Sequence, residues 1–260
     1  MNDPTSLGFI GGGRVARIIL GGFRKKGKEF AEIVVSDVSE EALARIRALH
    51  PGARTTLVDN RAPAACDLVF LALHPPAFGG ALDEIRGILR PEAVLISLAP
   101  KITIARISEK LAGFAQIVRM IPNAPSIVNA GYNPVTFGGG IRQPAKQSLL
   151  NFLSVLGECP VVPEKDLEAY AILAAMGPTY FWFQWEELEA LGAGFGLSSE
   201  DVRKALAAMV GGAAKAYFES GLPAGEVMDL IPVKPLKDDE EDIRSRFRQR
   251  LEPLYEKIKP

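Results

Sequence analysis

The stretch Leu7-Gly8-Phe9-Ile10-Gly11-Gly12-Gly13-Arg14-Val15-Ala16 decides how the rest of the chain is read. A short apolar run, Leu7 to Ile10, enters three glycines. An amphipathic helical pattern leaves them, with Ile18, Ile19 and Leu20 on one side and Arg14 and Arg17 on the other. Gly11, Gly13 and Ala16 hold the three positions of a G-x-G-x-x-A spacing. In that pattern the first glycine allows a tight turn, the second lets backbone reach a pyrophosphate, and the third position is small so that helix and strand pack closely. The phosphates then meet free amides and the positive end of a helix dipole. A glycine string alone is equally the mark of a flexible turn. This one follows a strand pattern and precedes a helix pattern, and a second apolar run, Ile33 to Val35, leads to Asp37 roughly two dozen residues on. The stretch predicts a dinucleotide site.

Working outward, strand and helix patterns alternate. Ser39 predicts an N-cap for a helix from Glu40 to Leu49, closed by Pro51 and Gly52. Arg54 to Leu57 reads as a short strand and Asn60 to Ala65 as a brief helix or turn. Leu68 to Leu73 is a fully apolar run of strand length, as a parallel sheet buried on both faces requires, and breaks at His74, Pro75 and Pro76. A helix is predicted from Leu82 to Leu89, a strand from Val94 to Leu98, a helix capped by Thr103, and a strand from Ala115 to Ile121. This rhythm predicts an α/β fold whose N-terminal part is a Rossmann-type doubly wound parallel sheet. Past Asn123 it changes. Tyr132 to Phe137 reads as one more strand, Gln147 to Leu156 as a helix and Val161 to Val162 as an edge strand; only helices follow Glu164. Pro178 suits the first turn of a helix running to about Ala193, and Ser198 or Ser199 caps another running to Ser220. Ala205, Ala207, Ala208 and Gly211 to Ala214 make one face of that helix thin, for a contact either between subunits or inside the core. Asp238 to Lys257 reads as a charged surface helix docked by one apolar stripe. The expected organisation is a dinucleotide-binding domain over 1–162 and an all-helical dimerisation and substrate domain over 163–260.

Bulk properties narrow the function. A net charge of -1 with no long basic run argues against nucleic acid and anionic membrane surfaces. No apolar stretch approaches the roughly 20 residues that span a bilayer, and a cleavable signal is not expected. Cys66 and Cys159 form no C-x-x-C, no paired histidines or other metal-ligand cluster is seen, and two buried thiols in a reducing cytoplasm are expected. There is no G-x-S-x-G elbow and no P-loop lysine.

In open α/β sheets the ligand lies outside the carboxyl ends of the strands. That rule selects Gly11, Gly12, Gly13, Arg14, Val15, Asp37, Asn60, Leu73, His74, Pro75, Ala99 and Asn123 as the cofactor-binding set. Asp37 would accept hydrogen bonds from the adenine ribose hydroxyls and repel the extra phosphate of NADP; its alternative is a turn or cap aspartate. No arginine follows it directly, and Arg14 and Arg45 are the cations that would approach a phosphate. His74 would donate a proton or hydrogen bond near the nicotinamide, or is a structural histidine. Lys101 would hold an anionic group or act as an acid, or is a solvated lysine. Asn123, on a rigid turn beside Pro122, would hydrogen-bond a carboxamide, or is a turn asparagine.

Several stretches, in order, carry a family resemblance. They are GFIGGGRVARIILGGF at 8–23, VSD at 35–37, DLVFLALHPPAF at 67–78, LISLAPKITIARI at 95–107, RMIPNAPSIVNAG at 119–131, MGPTYFW at 176–182 and GAAKAYFESGLPAGEVMD at 212–229. The chain resembles pyrroline-5-carboxylate reductase over nearly its whole length. The resemblance implies NAD(P)H-dependent reduction of a cyclic imine to proline. It also implies a homodimer or higher homo-oligomer through the helical domain, with an active site between the nicotinamide and helices of both subunits. The family usually has Ser-Gly-Ser-Gly-Pro-Ala-Tyr where this chain has Ala174 to Tyr180, so two hydroxyls are lost. The family's Ser-Pro-Gly-Gly-Thr-Thr loop, which holds the substrate carboxylate and ring nitrogen, is Leu230-Ile231-Pro232-Val233-Lys234-Pro235 here. Its Lys-Pro after the fourth strand is His74-Pro75, and its glycine after the fifth is Lys101. The catalytic set is therefore expected to be His74, Lys101 and Lys234, with Lys234 or Lys101 recovering an anionic substrate. Two alternatives stay open: a reductase of a different imine or keto substrate, and a nucleotide-binding dimer without catalysis.

Overall fold

The computed structural model describes residues 5–259. They divide into two compact units at Met176/Gly177, and the last turn of the chain, from Tyr255, belongs with the first unit. The division falls later than the 162/163 boundary read from the sequence. Residues 163–176 pack with the first unit because Leu167 and Ala171 are buried against Ile121 and because Glu168, fully buried, pairs with Arg119.

The first unit holds β1 (Ser6–Ile10), α1 (Arg14–Lys25), β2 (Glu32–Asp37), α2 (Glu40–Leu49), β3 (Arg54–Leu57), α3 (Arg61–Ala64), β4 (Leu68–Leu71), α4 (Pro75–Ile85), β5 (Val94–Ser97), α5 (Ile104–Lys110) and β6 (Ile117–Met120). It continues through β7 (Gly131–Tyr132), β8 (Val135–Phe137), α6 (Ala145–Leu153), β9 (Gly157–Glu158) and α7 (Leu167–Tyr170). The main sheet has the order β3-β2-β1-β4-β5-β6-β8, parallel except for β8, which runs antiparallel to β6. Strand order reverses between β1 and β4, the switch point at which doubly wound sheets open a crevice.

Alternation along the strands explains the layering. Leu7, Phe9, Leu68, Phe70, Ile96 and Val118 face one side, against Ile19, Leu20 and Phe23 of α1, Leu43 and Ile46 of α2 and Leu149 and Leu153 of α6. Ile10, Val69, Leu71, Leu95 and Ile117 face the other, against Phe78, Leu82 and Ile85 of α4 and Ile107 of α5. A strand covered on both faces tends to a near-continuous apolar run, which is how β4 reads. Phe9 and Phe70, register partners, stack at 4.6 Å between centroids.

Several boundaries shift from the sequence reading. β4 stops at Leu71, and α4 starts at Pro75 rather than at Leu82: Pro75 and Pro76 occupy the first turn, where a missing N–H costs nothing, so the prolines open the helix. The helix ends at Ile85, ahead of Gly87 with φ +76°. Tyr132 to Phe137 splits into β7, paired with β9, and β8, paired with β6. Val161 makes a single bridge to Val135 instead of a strand. Ser39, Thr103 and Ser198 are N-caps, each hydroxyl accepting a backbone N–H of the first turn.

The second unit is helical: α8 (Trp182–Gly194), α9 (Ser199–Glu219), α10 (Ala224–Asp229) and α11 (Glu240–Ile258) up to Leu254. Pro178 sits in a 3-10 turn, Gly177–Tyr180, ahead of α8 rather than in its first turn. α8 and α9 approach so closely that a Cβ on Gly192 would stand 2.8 Å from a Val202 methyl. Among the described residues no helix is long and apolar enough to cross a membrane.

Candidate active site

The glycine turn is stitched to the ends of its neighbouring strands. Gly11 adopts φ +102°, its N–H donates to the Ser36 carbonyl at 2.8 Å, and a Cβ there would stand 2.5 Å from the Ala72 oxygen. Only glycine fits both the conformation and the space. The Gly12 N–H donates to Asp37 Oδ2 at 2.7 Å. Gly13 is the N-cap of α1 and differs in kind: no side chain caps the helix, its first turn carries no acid, and a Cβ on Gly13 would meet nothing within 4 Å. The first amides of a helix have no partners within it. Here they lie at the carboxyl edge of the sheet beside open space, a cradle that fits a pyrophosphate. Ala16 is fully buried, as close strand–helix packing requires.

The other cofactor candidates of this unit stand at the same carboxyl edge, with Arg14 exposed and Val15 half-buried in the first turn of α1. Asp37 ends β2; besides Gly12, it accepts the Ser39 N–H through Oδ1 at 2.8 Å, which fixes the carboxylate while leaving lone pairs for a ribose diol. Asn60 is tied on three sides: its Oδ1 accepts from Ser36 Oγ, and its N–H and Nδ2 donate to Glu84. Leu73 stands beside the turn, its Cδ2 3.2 Å from where a Gly11 Cβ would be. His74 and Pro75 are exposed at the start of α4, His74 as its N-cap residue.

Ala99 is buried, and Lys101 stands just beyond it with φ +71°. The glycine expected there in the family suits that left-handed backbone, which costs a lysine about 1 kcal/mol. The Lys101 amine donates to the Lys257 carbonyl at 3.2 Å, in the last turn of α11. Asn123 is mostly buried: its Oδ1 accepts from the Tyr132 N–H at 3.1 Å and its Nδ2 approaches the Ala174 carbonyl at 3.5 Å. Lys234 belongs to the second unit, 3.6 Å from Asp229, in an open groove of about 1110 Å³ lined by Met228, Leu230, Ile231 and Leu236.

The sequence reading missed one group. Arg119 of β6 is fully buried, with Nη2 2.6 Å from Glu168 Oε1 and Nη1 3.1 Å from Glu164 Oε1. Glu168 also accepts the Lys101 N–H at 2.9 Å and Glu164 the Ile104 N–H at 2.7 Å. The signal was a lone arginine inside the apolar run Ile117 to Ile121, which a buried strand tolerates only with partners.

A family model described as "NADP oxidoreductase coenzyme F420-dependent" matches residues 6–101, the stretch from β1 to Lys101. Pyrroline-5-carboxylate reductase of Corynebacterium melassecola is 28% identical over 226 residues, 86% of this chain and 83% of that protein. A solved pyrroline-5-carboxylate reductase from Coxiella burnetii superposes with a TM-score of 0.69 at 27% identity, covering 98% of this chain and 95% of that one. The chain is thus similar to pyrroline-5-carboxylate reductases over most of its length. The fold likeness extends to the Plasmodium falciparum pyrroline carboxylate reductase solved with NADP bound, with a TM-score of 0.83 at 21% identity, covering 99% of this chain and 98% of that one.

The segment at which this chain lacks two hydroxyls expected from the resemblance has its own geometry. Residues Ala171–Ala175 form a π-helical turn, closed by the Met176 N–H on the Ala171 carbonyl at 3.0 Å. Such turns are rare and frequent at functional sites.

Proposed function

We propose that the chain is an NAD(P)H-dependent reductase that transfers hydride to the C=N carbon of a small cyclic imine of the pyrroline-5-carboxylate type. The observation that carries the reading is the Gly11–Val15 turn, whose uncapped helix start and open side at Gly13 form a pyrophosphate cradle at the switch point of the sheet. When bound, the reduced nicotinamide supplies the hydride; the imine carbon gains it and the ring nitrogen takes a proton.

What the chain supplies is position and charge. The amides of Gly13, Arg14 and Val15 hold the phosphates. Asp37, fixed by Gly12 and Ser39, accepts from the ribose hydroxyls and favours NADH over NADPH. His74, exposed and making no ring hydrogen bond among the described residues, is the candidate proton donor. Lys101, with its amine on the Lys257 carbonyl, serves this role less well. Lys234 replaces the family's hydroxyl loop as the cation for the substrate carboxylate. The working form is a homodimer built through the helical unit, whose apolar residues are largely uncovered within one chain. A reducing, cytoplasmic setting fits the two free thiols: burial pushes Cys66 and Cys159 each up to about 11.

The test is oxidation of NADH and NADPH by the purified protein with pyrroline-5-carboxylate, then with other cyclic imines and 2-keto acids. Turnover with pyrroline-5-carboxylate is expected, with KM for that substrate raised about tenfold or more in Lys234→Ala and kcat changed less. Nucleotide binding without turnover on any substrate would leave a binding protein and overturn the enzyme reading. An unchanged KM in Lys234→Ala would remove that lysine from the site.

A further inference from the structure

The carboxyl end of β5 and the start of α5 lie on the β4 side of the switch point, and the loop between them carries Lys101 of the proposed site. This loop, residues 98–103, contains a lysine in left-handed backbone and ends at Thr103, the N-cap of α5. It is also held from behind. One buried guanidinium and two carboxylates share the work: Glu168 Oε1 accepts both Arg119 Nη2 and the Lys101 N–H, while Glu164 Oε1 accepts both Arg119 Nη1 and the Ile104 N–H. Arg119 Nη2 also lies 3.5 Å from the Ala99 carbonyl. Glu168 thus ties the arginine to the Lys101 amide within the loop, and Glu164 ties it to the Ile104 amide at the start of α5.

This cluster is poorly arranged for stability alone. Arg119 and Glu168 have no exposed side-chain surface, and Arg119 Nε, Glu168 Oε2 and Ser97 Oγ, the last on the register partner of Arg119, have no hydrogen-bond partner among the described residues. A buried ion pair with unmet polar atoms is no more stable than an apolar filling of the same space. A Leu or Met at 119 would continue the apolar run of β6, but neither could fix two loop amides that lie beyond the strand end.

We propose that Arg119, acting through Glu164 and Glu168, is a positioning residue that fixes the Ala99–Ile104 loop for hydride transfer, an inference that rests on the reductase reading. The planar fork of arginine reaches both carboxylates at once; a lysine ammonium is a single point of charge and cannot reproduce the two directions. Arg119→Lys therefore keeps the buried charge but releases one side of the loop, and Glu164→Gln, at a partly exposed carboxylate, weakens the Ile104 side with less effect on folding.

The experiment combines amide hydrogen exchange, thermal melting, ADP-ribose binding and steady-state kinetics on wild type, Arg119→Lys and Glu164→Gln. Expected in Arg119→Lys is exchange at Lys101 and Ile104 about tenfold faster than in wild type, with the amides of β1, β2 and β4 unchanged. Affinity for ADP-ribose, which lacks the nicotinamide ring, stays as in wild type, whereas kcat falls on the order of tenfold to a hundredfold. Glu164→Gln shows the same pattern with the exchange change confined to Ile104. A merely structural pair would instead raise exchange across the whole sheet, lower the melting temperature and leave kcat per folded molecule intact; that result, or unaltered exchange at both amides, overturns the proposal. If Arg119→Lys does not fold, Glu164→Gln decides by the same exchange and kcat criteria. Wild-type protein without turnover on any imine would count against the reductase reading, while the exchange arm would still decide whether the cluster holds the loop.

Discussion

Gly11 and Gly13, two residues apart, answer to different constraints. At Gly11 both the φ of +102° and the Ala72 oxygen 2.5 Å from a would-be Cβ exclude any side chain. Gly11→Ala is therefore expected to destabilise the fold by about 1–3 kcal/mol, read as a lowered melting temperature. A methyl at Gly13 meets nothing in the chain and occupies the space assigned to phosphate. Gly13→Ala is expected to melt as wild type does, yet to weaken NADH binding at least tenfold by fluorescence titration. Equal melting curves for both variants would show that the turn is not divided in this way. Asp37 poses a related question. Asp37→Ser removes the charge while keeping a hydroxyl for Ser39, so the ratio of kcat/KM with NADPH to that with NADH should rise about tenfold or more; an unchanged ratio would shift the choice of cofactor to Arg14 or Arg45. The spacing in the sequence was enough to find Gly11, Gly13 and Asp37. It could not show that Asp37 also anchors Gly12, because that depends on a distance across 25 residues of chain. Nor could it show that Lys101 points its amine at Lys257, since the partner lies 156 residues away.

Secondary elements were legible where one physical signal dominated and blurred where two competed. β4 is apolar throughout, and β2 is apolar over Ile33 to Val35, because both sheet faces are covered, and this survives in sequence as short apolar runs. At α4 the helix-breaking and helix-starting roles of proline give the same letters, and only the position of the preceding strand end selects between them. The arginine of β6 was readable as an anomaly but not its solution, because Glu164 and Glu168 lie more than forty residues downstream. Element pairing can be tested at the lock between β1 and β4. The Ser6 N–H and hydroxyl both donate to Asp67 Oδ2, at 2.9 and 2.7 Å, and the Asp67 N–H donates to Ser6 Oγ at 2.9 Å. Partial burial pushes the Asp67 carboxyl up, but the bonds from Ser6 and the Arg90 guanidinium outweigh it and hold the group below its ordinary value. A carboxyl depressed in the folded state stabilises the fold above its unfolded pKa, near 3.9, and loses that contribution as pH falls through the folded value. Because the side chain is half exposed, Asp67→Asn should cost only about 1 kcal/mol at neutral pH in urea unfolding, and the gap should close below about pH 4. A gap independent of pH would mean that the charge contributes nothing to the lock.

At the scale of the whole molecule, the two units differ in what they can bury. The first encloses two apolar layers around its sheet. In the second, among the described residues, only Gly177, Gly192 and Val202 are buried, whereas Phe195 is 78% exposed, Phe218 79% and Val233 73%. The small-residue face of α9 is exposed as well, so it is not an internal core face of this chain. A helical unit without a covered core does not offset the entropy of its own ordering. The sequence carried the thin face of α9 but not its setting, since an internal and an intersubunit contact demand the same alanines and glycines. The proposed homodimer would resolve the imbalance by covering these faces in an obligate interface of roughly 2,000 Å² or more. Sedimentation is then expected to give a dimer or higher oligomer at every concentration at which the protein is folded. The melting temperature should rise with protein concentration, because association stabilises by mass action. Phe218→Asp should shift the sedimenting species towards monomer and remove that concentration dependence, as a charge cannot enter a dry interface unpaired. A monomer that unfolds cooperatively at a concentration-independent temperature would show that the exposed faces of α8 and α9 need no partner. The oligomeric arm of the proposed function would then fall, while the cofactor cradle of the first unit would stand.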